Sequence, residues 1–300
     1  MPFARPPRFI FCLAVCAALI ACGTATADSD RLVDHLDRSW IENATWYEGE
    51  AEVNAYEATL EKYGAAREAE RVIHILVTEG HDPEMLVKAD DWRRDDLVPM
   101  LKFNSVVSVR TGIYHYQQML SFFFDRRDLG LAKMTLASHE WCGNTFKQLV
   151  NHDGRSTYDF NTYWDGQGDG SFEVDFPEDL VIYEALPVAV RPLRFAEGLT
   201  VETPLLGPQR SSQATRPVIE KATVRVGAVE TIEVPFGRGR AWPVTVEHAG
   251  GSDALWFEAD FPHRLLRWEQ AGGDRFELSA SDRLAYWQLT GPGDETAFPN

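Results

Sequence analysis

From residue 50 onward the hydrophobic period of this chain is two. Ala51, Val53 and Ala55 alternate with Glu52, Asn54 and Tyr56, and "RVIHILVTE" at 71–79 is dense in β-branched residues. Side chains two apart share a face only in an extended strand, so the pattern predicts strands here. The same reading predicts strands at 105–110, 113–124, 131–142, 145–150 and 158–164. More follow at about 219–227, 230–236, 241–248, 254–260, 264–269 and 275–283. Most are separated by short polar turns, which join antiparallel neighbours. The expected fold is mainly β, with a minor α+β character: a large curved antiparallel sheet or open barrel carrying one or two helices. One helix, capped by Asp28 or Ser29, places Leu32, Val33, Leu36, Trp40 and Ile41 at three- and four-residue spacing. The other is expected in "PEDLVIYEALPVAVRPL" at 177–193, with Asp175 as cap and Pro187 ending or kinking it.

The start of the chain reads as an address. Arg5 and Arg8 precede an apolar run at 9–21 that is too short to span a bilayer, which is a signal-peptide pattern. The run ends in Leu19-Ile20-Ala21-Cys22, which resembles a bacterial lipobox. That resemblance implies a signal peptide at 1–21 and a Cys22 carrying thioether-linked diacylglycerol and an N-acyl chain such as palmitate, with a tether at 22–28. Gly23 after the cysteine implies an outer-membrane location facing the periplasm. Residues 29–300 are expected to form a single mainly-β domain. The best candidate seam is 205–217, "LLGPQRSSQATRP", with two prolines and a glycine. Cys12 and Cys16 leave with the leader and Cys22 is capped, so Cys142 has no intramolecular partner.

Loss of the leader removes two arginines and no acid, taking the net charge from −17 to −19. Such a chain avoids nucleic acid and anionic surfaces. The acids are scattered among apolar residues, and 44% hydrophobic with 12% aromatic content is ample for a core.

Several stretches together resemble an uncharacterised family of bacterial envelope lipoproteins often labelled "septum formation inhibitor Maf". They are 46–80, 102–123, 137–149 and 163–170, and more weakly "FPHRLLRWEQ" at 261–270. The family pattern couples Thr111-Gly112-Ile113-Tyr114 to Glu140-Trp141-Cys142-Gly143. The label implies no activity here. True Maf proteins are cytoplasmic nucleoside triphosphate pyrophosphatases with a Ser-Ala-Ser-Pro-Arg-Arg type motif, and this chain has neither that motif nor that compartment.

"ASHEWCGNTF" at 137–146 is the stretch that most invites a chemical reading. If 131–142 is a strand, Lys133, Thr135, Ala137, His139 and Trp141 face one way and Met134, Leu136, Ser138, Glu140 and Cys142 the other, so His139 and Cys142 diverge. A zincin is excluded, because the second histidine is missing. Glu140, Trp141, Cys142 and Gly143 are expected chiefly to hold the sheet together, Cys142 as a small buried hydrophobe and Glu140 paired with Arg110. The candidate ligand-binding or structural set is Thr111, Tyr114, Tyr116, Phe122, His139, Glu140, Trp141 and Cys142. "DGQGDG" at 165–170 imitates a calcium loop through Asp165 and Asp169, but Phe176 stands where the bidentate glutamate belongs, so a glycine-rich hairpin turn is expected. No cofactor is implied. The expected function is non-catalytic: a lipoprotein, membrane-bound through its N-terminal lipid, that binds an apolar or lipid ligand, a glycan or an envelope protein. The alternative is a thiol-dependent envelope enzyme using Cys142 with a histidine from another strand, His115 or His152.

Overall fold

A computed structural model describes Met1, residues 30–152 and residues 154–298; the leader and Cys22 lie outside these. Among the described residues sixteen strands form one sheet. The first eight are a continuous up-and-down meander: β1 (Ala51–Lys62), β2 (Ala65–His81), β3 (Val98–Thr111), β4 (Tyr114–Asp125), β5 (Leu131–Glu140), β6 (Gly143–His152), β7 (Arg155–Asn161) and β8 (Asp169–Glu173). The second eight are β9 (Val181–Ile182), β10 (Thr200–Leu206), β11 (Ile219–Val226), β12 (Glu230–Val234), β13 (Gly237–His248), β14 (Gly251–Glu258), β15 (Leu265–Glu269) and β16 (Arg275–Leu284). β16 pairs antiparallel with the free edge of β1, Ala280 opposite Ala55, and so joins the two halves. The sheet is open, with β8 and β9 at its edges, and antiparallel except where β9 meets β10.

Both expected helices are shorter than their patterns suggest. The N-terminal one is interrupted after Leu32–His35, a 3-10 turn, because Leu36 is drawn into an extended bridge with Leu193. Asp37 then caps Ser39 and starts α1 (Arg38–Glu42). At 177–193 the chain makes β9, a 3-10 turn at Tyr183–Ala185 and α2 (Leu186–Ala189). From Leu180 to Leu193 this segment is buried almost throughout, and apart from Glu184 and Arg191 its residues are apolar or aromatic. Ile182, Ala185 and Val188 pack into a cluster with Phe103, Phe122 and Leu136 of the first half. Tyr183, Leu186, Val190 and Leu193 pack into another with Val224, Phe257 and Trp268 of the second. The sheet curves around the segment, and its concave face is filled with protein.

One ion pair fastens this plug. Arg191 reaches Glu52 of β1 through two hydrogen bonds, Nη1 to Oε1 at 2.7 Å and Nη2 to Oε2 at 2.8 Å, with both side chains 4% exposed. Arg191 Nε donates to Pro262 O at 3.0 Å, and the Trp40 indole donates to the same carbonyl at 3.1 Å. Asn54 Nδ2 adds a donor to Glu52 at 2.7 Å. Burial raises the Glu52 pKa, but Arg191 outweighs it and holds the carboxyl below its ordinary value.

The stretch 207–218 is not a loose linker between domains. It crosses the concave side from β10, with Gln209 and Ala214 buried. Lys147 Nζ donates to Gln209 O at 3.1 Å, and the Thr145 and Thr162 hydroxyls donate to Ser212 O at 2.6 and 2.8 Å. The strap thus ties the second half of the sheet to β6 and to the end of β7.

Removing one partner of a buried bidentate pair strands the other charge, so Glu52→Gln and Arg191→Met should each cost about 3–5 kcal/mol in denaturant unfolding. A depressed folded-state pKa contributes stability that is present above the unfolded carboxylate value of about 4.3 and is lost as pH falls through the folded value. Glu52→Gln should therefore flatten the acid limb of the stability–pH curve, which chemical denaturation at stepped pH would measure.

Candidate functional site

In an antiparallel meander alternate turns share one end. Four of them meet here: Tyr63-Gly64 after β1, Gly112-Ile113 after β3, Trp141-Cys142 after β5, and residues 162–168 after β7. Their proximity brings together the two motifs, whose first residues, Thr111 and Glu140, lie 29 positions apart. The Tyr114 and Trp141 rings lie 6.3 Å apart at 39°. Gly112 takes φ +70 in a two-residue hairpin loop, the region a side chain resists at that turn position. Gly143 serves a different need: a Cβ there would sit 2.5 Å from the Tyr163 ring, which crosses it. With that ring in place, the Tyr163 phenol donates to the Glu140 carboxylate.

The phenols form a connected set. Tyr114 donates to Tyr63 Oη at 3.1 Å, and the Tyr63 and Tyr116 hydroxyls share a 2.5 Å hydrogen bond. Tyr63 is held at φ +55 while 68% exposed, a backbone conformation that its neighbours must support. Burial, then the Tyr63 hydrogen bond and Glu140, push the Tyr116 pKa up, so it stays protonated at neutral pH. Lys62 Nζ lies 4.8 Å from the Tyr116 ring centroid. Burial, then the Arg210 charge, lower the Lys62 pKa.

Three expectations about this stretch change. The alternation of faces holds through β5, where Met134, Leu136 and Ser138 are buried, but the strand ends at Glu140. Trp141 and Cys142 fall in the turn, Trp141 70% exposed and the Cys142 thiol exposed, so neither packs into the sheet. Arg110 is not the partner of Glu140. It faces the convex side, where Arg110 Nη2 and His115 Nδ1 meet Glu70 at 2.9 and 2.6 Å. His139 lies on that convex face too, bonded to Asn144 at 2.8 Å. His152 is at the far end of β6, about 30 Å along the strand from the Cys142 turn. Among the described residues no hydrogen bond joins Cys142 to a histidine, so the geometry assembles no thiol–imidazole pair.

Phe122 is core, fully buried and stacked 5.9 Å from Phe103. Thr111 is buried beside the turn, its hydroxyl 3.5 Å from Tyr114 O. Asp165 and Asp169 flank a glycine-rich turn between β7 and β8, in which Gln167 accepts from Ala214 N at 2.7 Å. No cluster of three metal-ligating side chains occurs among the described residues.

At the opposite end, beside the first residues of the N-terminal segment, lies an apolar cavity of about 160 Å3. Leu36 and Trp40 cover it, Leu101 and Phe124 of β3 and β4 form its floor, and Leu180 and Val188 its inner wall. Arg31, Asp128, Glu178 and Asp179 also line it, Arg31 Nη1 being 3.5 Å from Asp179. Neither Tyr63, Tyr163 and Lys62 nor this cavity was expected. "KYG" at 62–64 carries a turn signal that marks the first group, but nothing local marks the second.

No protein-family model matches the chain. Nor does any curated protein. Among solved structures it is similar to a DUF1089 family protein from Pseudomonas aeruginosa, at 14% identity over 55% of this chain and 82% of that one, with a TM-score of 0.36. At that level a shared fold does not follow.

Gly143→Ala should destabilise the protein by about 1–3 kcal/mol, because the Tyr163 ring must move. In a double-mutant cycle Tyr163→Ala should remove most of that penalty. Trp141→Ala and Cys142→Ala, both at an exposed turn, should stay within about 0.5 kcal/mol of wild type in thermal unfolding.

Proposed function

We propose that this is a non-catalytic lipoprotein of the bacterial envelope that holds an apolar ligand, one end of an acyl chain, in the cavity beneath its N-terminal segment. The observation that carries this reading is the cavity itself. Its lining is mostly aliphatic and aromatic, bordered by the charged side chains of Arg31, Asp128, Glu178 and Asp179, and its volume is comparable with the ~150 Å3 apolar cavity that takes up benzene in an engineered protein. That size fits part of one chain rather than a whole lipid.

The filled concave face narrows the reading. A curved sheet of this length can in principle enclose a ligand, but here the 180–193 segment occupies that space, so a ligand is left with the ends. The lipobox resemblance at Cys22 supports anchoring, and it puts the lipid eight residues before Asp30, where the described chain resumes. The described residues hold no helix long and apolar enough to cross a membrane. Outer-membrane placement facing the periplasm follows from the same resemblance and from Gly23.

A fluorescent fatty acid should bind the soluble domain saturably and be displaced by palmitate. Ala189→Leu, which fills the cavity from α2, should weaken binding at least ten-fold with little change in melting temperature. Absence of saturable binding, or equal binding by the filled variant, would contradict the proposal.

A further inference from the structure

A further cavity, of about 10 Å3, lies inside the molecule between β1, β2 and the buried 180–193 segment. Glu52, Asn54, Tyr56, His74, Pro187 and Arg191 contribute to its wall, and all of them are buried. It shares no lining residue with the apolar cavity. Its wall is the immediate surroundings of the Glu52–Arg191 pair, and it carries hydrogen-bonding groups that have no partner. Asn54 Oδ1 is fully buried and accepts no hydrogen bond. Turning the amide over would not relieve it, because Nδ2 is needed where it is, donating to the Glu52 carboxylate at 2.7 Å.

His74 stands directly opposite Asn54 in the β1–β2 ladder and is only 4% exposed. Its ring packs against Tyr56 and Phe103, with centroids 4.6 and 5.1 Å away. Among the described residues neither of its nitrogens is hydrogen-bonded. Burial above all pushes its pKa down to about 3, so at neutral pH the ring is an uncharged imidazole with one donor and one acceptor to satisfy. The Tyr56 phenol donates to Leu265 O at 3.1 Å, which leaves its oxygen able to accept. Ser105, the next residue across the ladder from His74, is also fully buried with an unpartnered hydroxyl. Such orphans are costly and uncommon in a folded interior, and a run of them on adjacent strands calls for a polar occupant.

We propose that this cavity is a binding site for one internal water molecule, which donates to Asn54 Oδ1 and hydrogen-bonds the His74 ring. Size and chemistry agree on the occupant. An internal water needs about 10–15 Å3 and two to four polar partners. The cavity has room for one water and no larger solute, and Asn54, His74 and the Tyr56 oxygen supply the partners. The water extends the hydrogen-bonded network that begins at the Glu52–Arg191 pair, through Asn54, to the second strand. Because Pro187 and Arg191 form part of the wall, it can leave only when the packing of the buried segment opens, and it is therefore long-lived. The site is independent of the apolar cavity and of what that cavity holds.

Two measurements test this. A high-resolution crystal structure of the wild-type protein should show one solvent peak within hydrogen-bonding distance, about 2.6–3.2 Å, of both Asn54 Oδ1 and a His74 ring nitrogen. In solution, oxygen-17 relaxation dispersion should count one long-lived water fewer in His74→Phe than in wild type, since phenylalanine keeps the ring packing and removes both nitrogens. His139→Phe, on the convex surface, should leave the count unchanged. An empty cavity in the wild-type crystal structure, a peak out of reach of either group, or an unchanged count in folded His74→Phe would overturn the proposal. The crystallographic measurement needs no variant, so it decides the matter even if His74→Phe does not fold.

Discussion

The bidentate contact between Glu52 and Arg191 sits where the two halves of the molecule meet. Glu52 belongs to β1, which pairs with β2 on one edge and β16 on the other. Arg191 closes the buried segment that both halves curve around. Burying two charges is expensive, and the cost is offset here by geometry: both carboxylate oxygens are matched by the guanidinium fork, and Asn54 and Pro262 O satisfy more of the remaining groups. Trp40 and Trp46 lie 5.3 and 5.6 Å from the same guanidinium, so the N-terminal segment docks on it as well. An apolar pair of similar volume would bury more cheaply. The charged pair specifies one register of the plug against β1, because a shift of one residue would leave both charges buried alone.

A filled interior determines where recognition can occur. Open curved sheets often use their concave face for a ligand, but this one spends that face on Ile182, Tyr183, Leu186 and Val188. What remains are the two ends. At one, the N-terminal segment roofs an apolar cavity; at the other, four hairpin turns gather phenols and an indole. The ends differ in chemistry because they differ in construction. The first is made by side chains of the core running out of partners, and the second by turn residues released from the sheet's alternation.

The strands were legible in the sequence because period two is a local signal. The predicted segments at 219–227, 254–260 and 264–269 lie within two residues of β11, within three of β14 and within one of β15. β10 went unrecognised although Val201, Thr203 and Leu205 alternate inward, since Pro204 argues against a strand. The helices were less legible for a physical reason. Periodicity at 177–193 reflects burial on two sides, and Pro187 and a pairing with β10 break it into short pieces. The site was half legible. The Thr111-to-Tyr114 and Glu140-to-Gly143 elements do meet, but the exposure of Trp141 and Cys142 depends on the strand stopping at Glu140, two residues before its expected end at Cys142. The pairing of Glu52 with Arg191, 139 residues away, has no local trace at all.

The permanence of the plug can be tested directly by amide hydrogen exchange. The N–H groups of Val190, Arg191 and Leu193, which donate to Leu186 O, Val188 O and Val190 O, should exchange only through global unfolding, at the rate of the central β1–β3 amides, and fatty acid should slow both sets by the same factor. Exchange as fast as that of the 82–97 loop, or a ligand-induced change that the β1–β3 amides do not share, would mean that the segment leaves the concave face and that the interior, not the ends, is the binding site.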